Sequence, residues 1–189
     1  MEGKDVSCIF EESSRILLEF GQKNSSTLNR IAEEIISCFE RGNKLLIFGN
    51  GGSASQAQHF AAELVNKFFH IRKALPAMSL TTDTSNLTSI ANDFDFRDIF
   101  SRQVEALSRQ GDVVWGLSTS GNSANVIKGC KTAKGAGMVT ICFTGMPGSE
   151  LSRIADISLC VPSENTARIQ EVHLCAGHTV CEMVEEHFR

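Results

Sequence analysis

His59 and Glu63 stand four residues apart in a stretch of helical periodicity, so they project from one face within reach of a common ligand or metal ion. An exposed or capping pair has the same spacing. His178 interrupts a mostly apolar helical pattern that also carries Gln170, Glu171 and His173, and a satisfied core or interface histidine would read the same way. Two loops have the makings of anion sites. Ser118-Thr119-Ser120-Gly121-Asn122-Ser123 leaves an apolar run and enters a helical stretch. It offers hydroxyls, a flexible glycine and free helix N-terminal N–H groups, which are the parts of a phosphate cradle. Ordinary N-capping uses the same residue types. Gly49-Asn50-Gly51-Gly52-Ser53 follows an earlier apolar run and fits neither the GxGxxG nor the GxxxxGK[ST] order, so both nucleotide fingerprints are absent. Two donor-rich loops without a nucleotide motif point to a small phosphorylated sugar.

Five short apolar runs, at 45–48, 77–80, 113–117, 139–143 and 157–161, have the length and composition of buried strands. Helical stretches are expected at 53–70, 84–107 with a break at 92–95, 123–136, 149–154 and 166–187. This alternation predicts an α/β fold: a three-layer, doubly wound, five-stranded parallel sheet covered on both faces. Ligands of such sheets bind outside the carboxyl ends of the strands, which is where both polar loops fall. Ahead of the sheet, two helical patterns (Val6, Ile9, Phe10, Ile16, Leu17, Phe20, then Leu28, Ile31, Ile35, Ile36, Phe39) flank Asn24-Ser25-Ser26, a turn-and-cap signature. The expectation is a helical hairpin over 1–41 preceding an α/β core over 42–189, together forming one domain.

Composition narrows the function classes. The 189 residues are 42% hydrophobic and 21% charged, a balance that builds a core. The net charge is −4 and no Lys/Arg run exceeds two residues, which argues against nucleic acid as a partner. No apolar stretch approaches the roughly 20 residues that span a bilayer, and the leading MEGKDVSC lacks a basic-then-apolar signal pattern. A cytoplasmic protein without a membrane partner is expected. Cys8, Cys38, Cys130, Cys142, Cys160, Cys175 and Cys181 are odd in number, contain no CxxC and mostly lie in apolar segments, so they read as reduced, buried small hydrophobes.

The segments LLIFGNGGSASQAQHFAAEL, LPAMSLTTDTSNLTSIANDF, GLSTSGNSANVI and ARIQEVHLCAGH together resemble the bacterial phosphoheptose isomerases of the sugar isomerase (SIS) domain family over nearly the whole chain. STSGNS alone would indicate only a sugar-phosphate-binding SIS domain; the GNGGS loop, the HxxxE pair and RIQExH in this order are more specific. The resemblance implies conversion of sedoheptulose 7-phosphate to D-glycero-D-manno-heptose 7-phosphate, the entry to heptose precursors of lipopolysaccharide core and related glycans. It assigns acid–base roles to Glu63 and His178, and makes His59, Glu63, Gln170 and His178 ligands of one zinc per subunit. It also places Asn50, Gly51, Gly52, Ser53, Glu63, Asn92, Asp93, Ser118, Thr119, Ser120, Ser123 and Gln170 against the substrate, in a homotetramer. Lys67 stands where some members have Arg, and Ala167 where some have Asp.

The reaction moves a proton between adjacent carbons through an enediol, which calls for a base over those carbons and an acid for the oxygens. Coordination of Glu63 to a metal would lower its basicity, so an ordering and a catalytic role for zinc both stay open. Gln170 and His178 lie eight residues apart, about 12 Å along a straight helix, so joint ligation implies that two subunits share a site. The rival readings are a non-catalytic SIS regulator of the kind that binds a replication initiator, a sugar-phosphate sensor, and an isomerase of another sugar phosphate. The initiator-binding relative lacks the Glu and His that this chain keeps at 63 and 178.

Overall fold

Every one of the five apolar runs forms a strand. The computed structural model describes residues 5–189. In chain order it contains α1 (Val6–Glu40), β1 (Leu45–Gly49), α2 (Gly52–Val65), β2 (Ala77–Ser79), α3 (Thr84–Asp93) and a 3-10 turn (Phe96–Asp98). Then come α4 (Ser101–Leu107), β3 (Val113–Ser118), α5 (Ala124–Gly135), β4 (Val139–Thr144), α6 (Glu150–Ile154), β5 (Ile157–Cys160) and α7 (Thr166–His187). The strands are all parallel, in the order β2-β1-β3-β4-β5. The chain therefore reverses its winding between β1 and β3, and a ligand crevice opens at the carboxyl ends of those two strands.

Side chains alternate across a strand, and here the alternation sorts the core into two. Leu45, Ile47, Val113, Trp115, Leu117, Ile141 and Phe143 face the layer of α1, α2 and α7, where Phe60, Leu64, Val172 and Val180 meet them. Leu46, Phe48, Val114 and Cys142 face the opposite layer and pack on Ile90, Phe100, Val104, Val126 and Leu151. Trp115 lies between Ile47 and Ile141 in the sheet and is fully buried.

The N-terminal hairpin is not formed. Residues 1–4 of the expected 1–41 segment lie outside the described residues, and from Val6 to Glu40 the chain is one 35-residue helix. Asn24 spends its side-chain amide inside that helix, donating to the Phe20 carbonyl at 2.9 Å. Ser and Asn cost a helix only tenths of a kcal/mol each. Phe20, Leu28, Ile31 and Ile35 share one buried stripe that runs straight through the supposed turn and is packed against α7.

All seven cysteines are free, and Cys38, Cys130, Cys142 and Cys181 are buried, while Cys8 and Cys175 are exposed on outward faces of α1 and α7. Among the described residues no helix is long and apolar enough to cross a membrane.

His173 is fully buried on α7, its Nε2 3.0 Å from the Thr144 carbonyl at the end of β4. A carbonyl only accepts, so Nε2 carries the hydrogen; Nδ1 is buried without a partner. Burial pushes its pKa down to about 4. The unfolded chain binds a proton here below about pH 6.5 and the folded chain only below about 4, so stability falls as pH drops through that window. Lowering the pH from 7 to 4.5 is expected to cost on the order of 2 kcal/mol through this residue. His173→Gln retains a donor without titrating and should flatten the pH dependence of urea unfolding by that amount. Identical slopes for the two proteins would rule the assignment out.

Candidate active site

Helices α2 and α7 lie side by side and run in the same direction: Gly52 abuts Gln170, and two turns on, Phe60 abuts Gly177. Along α2 the steps from Gly52 to Gln56, His59 and Glu63 return to one helix face. His59 Nε2 lies 2.7 Å from His178 Nε2 and 3.4 Å from Glu63 Oε1. One ligand-type atom from each of His59, Glu63 and His178 falls within 4.8 Å of the others. Two imidazole nitrogens and a carboxylate suit zinc or a similar divalent metal.

Two Nε2 atoms this close cannot both carry hydrogen, so one donates, the other accepts, and at least one ring is neutral. Burial lowers the pKa of His178 below the ordinary histidine value and the charge of His59 lowers it further, against an upward pull from Glu63. Phe60 and Phe68 flank the His178 ring, with centroids at 6.3 and 5.6 Å.

Both polar loops sit at the crevice. Ser118 Oγ is 2.9 Å from Ser123 Oγ and 3.4 Å from Ser120 Oγ. Ser123 occupies the N-cap of α5, but its hydroxyl pairs with that of Ser118 and does not cap the helix. The N–H groups of Ala124 and Asn125 thus lack a side-chain cap, the condition that favours an anion, while the Val126 N–H is taken by Asn125 Oδ1. Thr119, Ser120, Met146, Glu164 and Ile169 border a cleft of about 230 Å³ beside this loop. Asn50 and Asn125 exchange reciprocal amide hydrogen bonds of 2.8 and 2.9 Å, which tie the 49–53 loop to α5. Gln56 donates to the Gln170 carbonyl at 2.7 Å, and a Cβ on Gly52 would come within 2.5 Å of Gln170 Nε2. Gly52 thus lets the Gln170 side chain lie over the start of α2.

An SIS domain family model matches residues 10–145. A phosphoheptose isomerase of Aquifex aeolicus is 51% identical over 181 residues, 96% of this chain and 95% of that protein. The chain belongs to the phosphoheptose isomerases of the SIS domain family. Another phosphoheptose isomerase, from a Roseiflexus species, is 57% identical over 155 residues, 82% of this chain and 79% of its own length. The solved structure of a phosphoheptose isomerase from Neisseria gonorrhoeae superposes with a TM-score of 0.89 at 43% identity, over 95% of this chain and 97% of that one. One from Francisella tularensis gives 0.92 at 35% identity, over 96% of each.

Not every residue that the resemblance assigns to the site gathers in one chain. His59, Glu63 and His178 cluster, and Asn50, Gly51, Gly52, Ser53, Ser118, Thr119, Ser120, Ser123 and Gln170 line the two loops and the helix edge beside them. Asn92 and Asp93 lie at the exposed end of α3, hydrogen-bonded to each other at 2.8 Å and to neither loop. Gln170 stands over Gly52, well away from the three clustered residues. Lys67 and Ala167 are exposed.

Asn125 carried no signal of its own in the sequence, because its value lies in a partner 75 residues away. It is buried, and its Oδ1 accepts from both Asn50 and the Val126 N–H. Asn125→Ala should loosen the 49–53 loop and raise the apparent KM for sugar phosphate about tenfold, equivalent to roughly one buried hydrogen-bonded pair, with kcat within about twofold. Steady-state kinetics would check this; an unchanged KM would mean the pair does not hold the loop for the ligand.

Proposed function

We propose that this phosphoheptose isomerase interconverts sedoheptulose 7-phosphate and D-glycero-D-manno-heptose 7-phosphate, with Glu63 as base and His178 as acid. The observation that carries this is the convergence of His59, Glu63 and His178, two of them on the helix that the phosphate-competent 49–53 loop opens. Glu63 lies ten residues beyond Ser53 on α2, about 15 Å along the helix axis from the 49–53 loop.

The loops 49–53 and 118–123 hold the phosphate and fix the sugar's direction through neutral donors. Glu63 takes the proton from C1 while His178 protonates O2, giving the enediol. His178 then removes the proton from O1 and Glu63 returns its proton to C2, giving the aldose. His59 contacts both residues and keeps them in register. The same three side chains would hold a zinc ion, which when bound supplies electrostatic stabilisation to the sugar oxygens. A cytoplasmic setting goes with this reading, since all seven thiols are free. So does a place in supplying heptose for lipopolysaccharide core or related glycans.

Glu63→Gln and His178→Ala should each lower kcat on sedoheptulose 7-phosphate at least about a hundredfold without loss of fold, as expected for removal of a proton-transfer group. Product separation from the two variants tests this, and wild-type rates would remove that residue from the mechanism.

Gln170 as a fourth metal ligand requires a second chain. Helix α7 is continuous from Thr166 to His187, so Gln170 and His178 stay about 12 Å apart along its axis, against metal bonds of roughly 2.0–2.2 Å. The exposed Val6, Phe10 and Leu18 of α1 supply apolar surface for a homotetramer. Mixing inactive Gln170→Ala with inactive His178→Ala protein should restore part of the activity, because some hybrid sites then receive both intact residues. Subunit exchange verified by mass with no recovery at all would count against the shared site.

A further inference from the structure

We propose that Arg72 and Glu185 are a positioning pair for this site: together they lock the exit of α2 against the last turn of α7, and so set Glu63 and Phe68 against His178. The inference rests on the assignment of proton transfer to Glu63 and His178.

Both side chains are 1% exposed and form an ion pair, with Arg72 Nε 3.2 Å from Glu185 Oε1. Arg72 caps the helix that carries Glu63. Its Nη2 donates to the Glu63 carbonyl at 2.9 Å and its Nη1 to the Leu64 carbonyl at 2.8 Å, two of the acceptors that a helix C-terminus leaves unpaired. Glu185 gathers the chain that follows. Its carboxylate accepts three consecutive main-chain N–H groups, from Phe68 at 2.7 Å, Phe69 at 2.5 Å and His70 at 3.0 Å. Burial raises the pKa of this carboxyl, but the N–H donors and Arg72 outweigh it and hold the group below the ordinary carboxylate value.

The consequence is geometric. Glu185 lies seven residues beyond His178 on α7, two turns along nearly the same face. The pair therefore connects the helix bearing His178 with the helix bearing Glu63 at a second point beyond the site, and its nest of N–H groups anchors Phe68, whose ring packs on His178. An arginine is suited to this because its rigid fork donates to two carbonyls at the end of α2 while its charge faces the Glu185 carboxylate. Apolar packing alone would hold the two helices together, but would leave this exit segment unspecified.

Two variants test the proposal. Arg72→Lys keeps the charge and loses the fork. The double variant Arg72→Met/Glu185→Leu removes both charges and leaves neither buried alone, the safer change for the fold. Each is measured for unfolding midpoint and, per folded molecule, for kcat, KM and the isotope effect with sedoheptulose 7-phosphate deuterated at C1. The expected result is a fall in kcat of at least about tenfold, KM within about twofold, and a larger isotope effect, because misplacing Glu63 slows the proton transfer itself. A purely structural pair would lower the midpoint and leave kcat per folded molecule and the isotope effect unchanged, and that outcome overturns the proposal. Should the double variant fail to fold, Arg72→Lys decides alone. Glu63→Gln, assayed alongside, separates the two levels: wild-type turnover there defeats the assignment beneath, whereas an inactive Glu63→Gln with unimpaired Arg72→Lys defeats only the positioning pair.

Discussion

The arrangement depends on how closely α2 and α7 approach one another across the central strands. Phe60 stacks on Trp115 with ring centroids 5.1 Å apart, and Trp115 meets Phe143 edge-on at 4.8 Å, so the middle of α2 is seated on β3 by three aromatic rings. On its other side Phe60 lies against Gly177, where any Cβ would run into the ring. That contact fixes the spacing of the two helices. His59 is the sequence neighbour of Phe60 and His178 that of Gly177, so the contact that seats α2 and α7 on the sheet also places the two imidazoles 2.7 Å apart. Site and core are adjacent residues of one packing event. A close-packed interior transmits small volume changes, so the site is only as well set as that contact.

Apolar burial is non-directional and cannot by itself choose which part of the chain lies where. Helix α7 adds direction with three buried polar side chains, each tied to main chain elsewhere. Arg168 donates to the Ile9 carbonyl in α1, His173 to Thr144 at the end of β4, and Glu185 receives the N–H groups of 68–70. These bonds distribute along α7 and reach three different elements, so a shift of the helix would break several at once. Buried polar groups are costly when unpaired, and this penalises alternative registers more than it adds to stability.

Much of this fold was legible in the sequence because it follows local periodicity: the five strands and the final helix appear where the apolar pattern puts them. The hairpin was misread because Asn24-Ser25-Ser26 has the composition of a cap, while what decided the matter was the stripe of Phe20, Leu28 and Ile31 finding one continuous partner in α7. In the site, the His59–Glu63 pair was readable from spacing, and His178 became interpretable only with family resemblance. Asn125, Arg72 and Glu185 were not readable at all. Their partners lie 75 to 117 residues away, or are main-chain atoms, and neither leaves a mark in local pattern.

The chemistry proposed here also constrains the assembly. An enediol and the proton held between donor and acceptor are best protected where water is excluded. In a single chain, however, the His59 side chain is 46% exposed, and the large apolar residues Phe69 and Ile71 stand in solvent just past the end of α2. Neither feature suits a finished site. Phe69 belongs to the segment that Glu185 anchors, beside Phe68, whose ring packs on His178, so a second subunit packed there would cover apolar side chains next to the site. The anion end needs no such help, because its donors are main-chain N–H groups and hydroxyls already organised by Ser118, Ser123 and the Asn50–Asn125 pair. On the proposed function, the phosphate loops would be complete within one chain, and a homo-oligomer would shield at an interface the proton-transfer centre that a single chain leaves open to water.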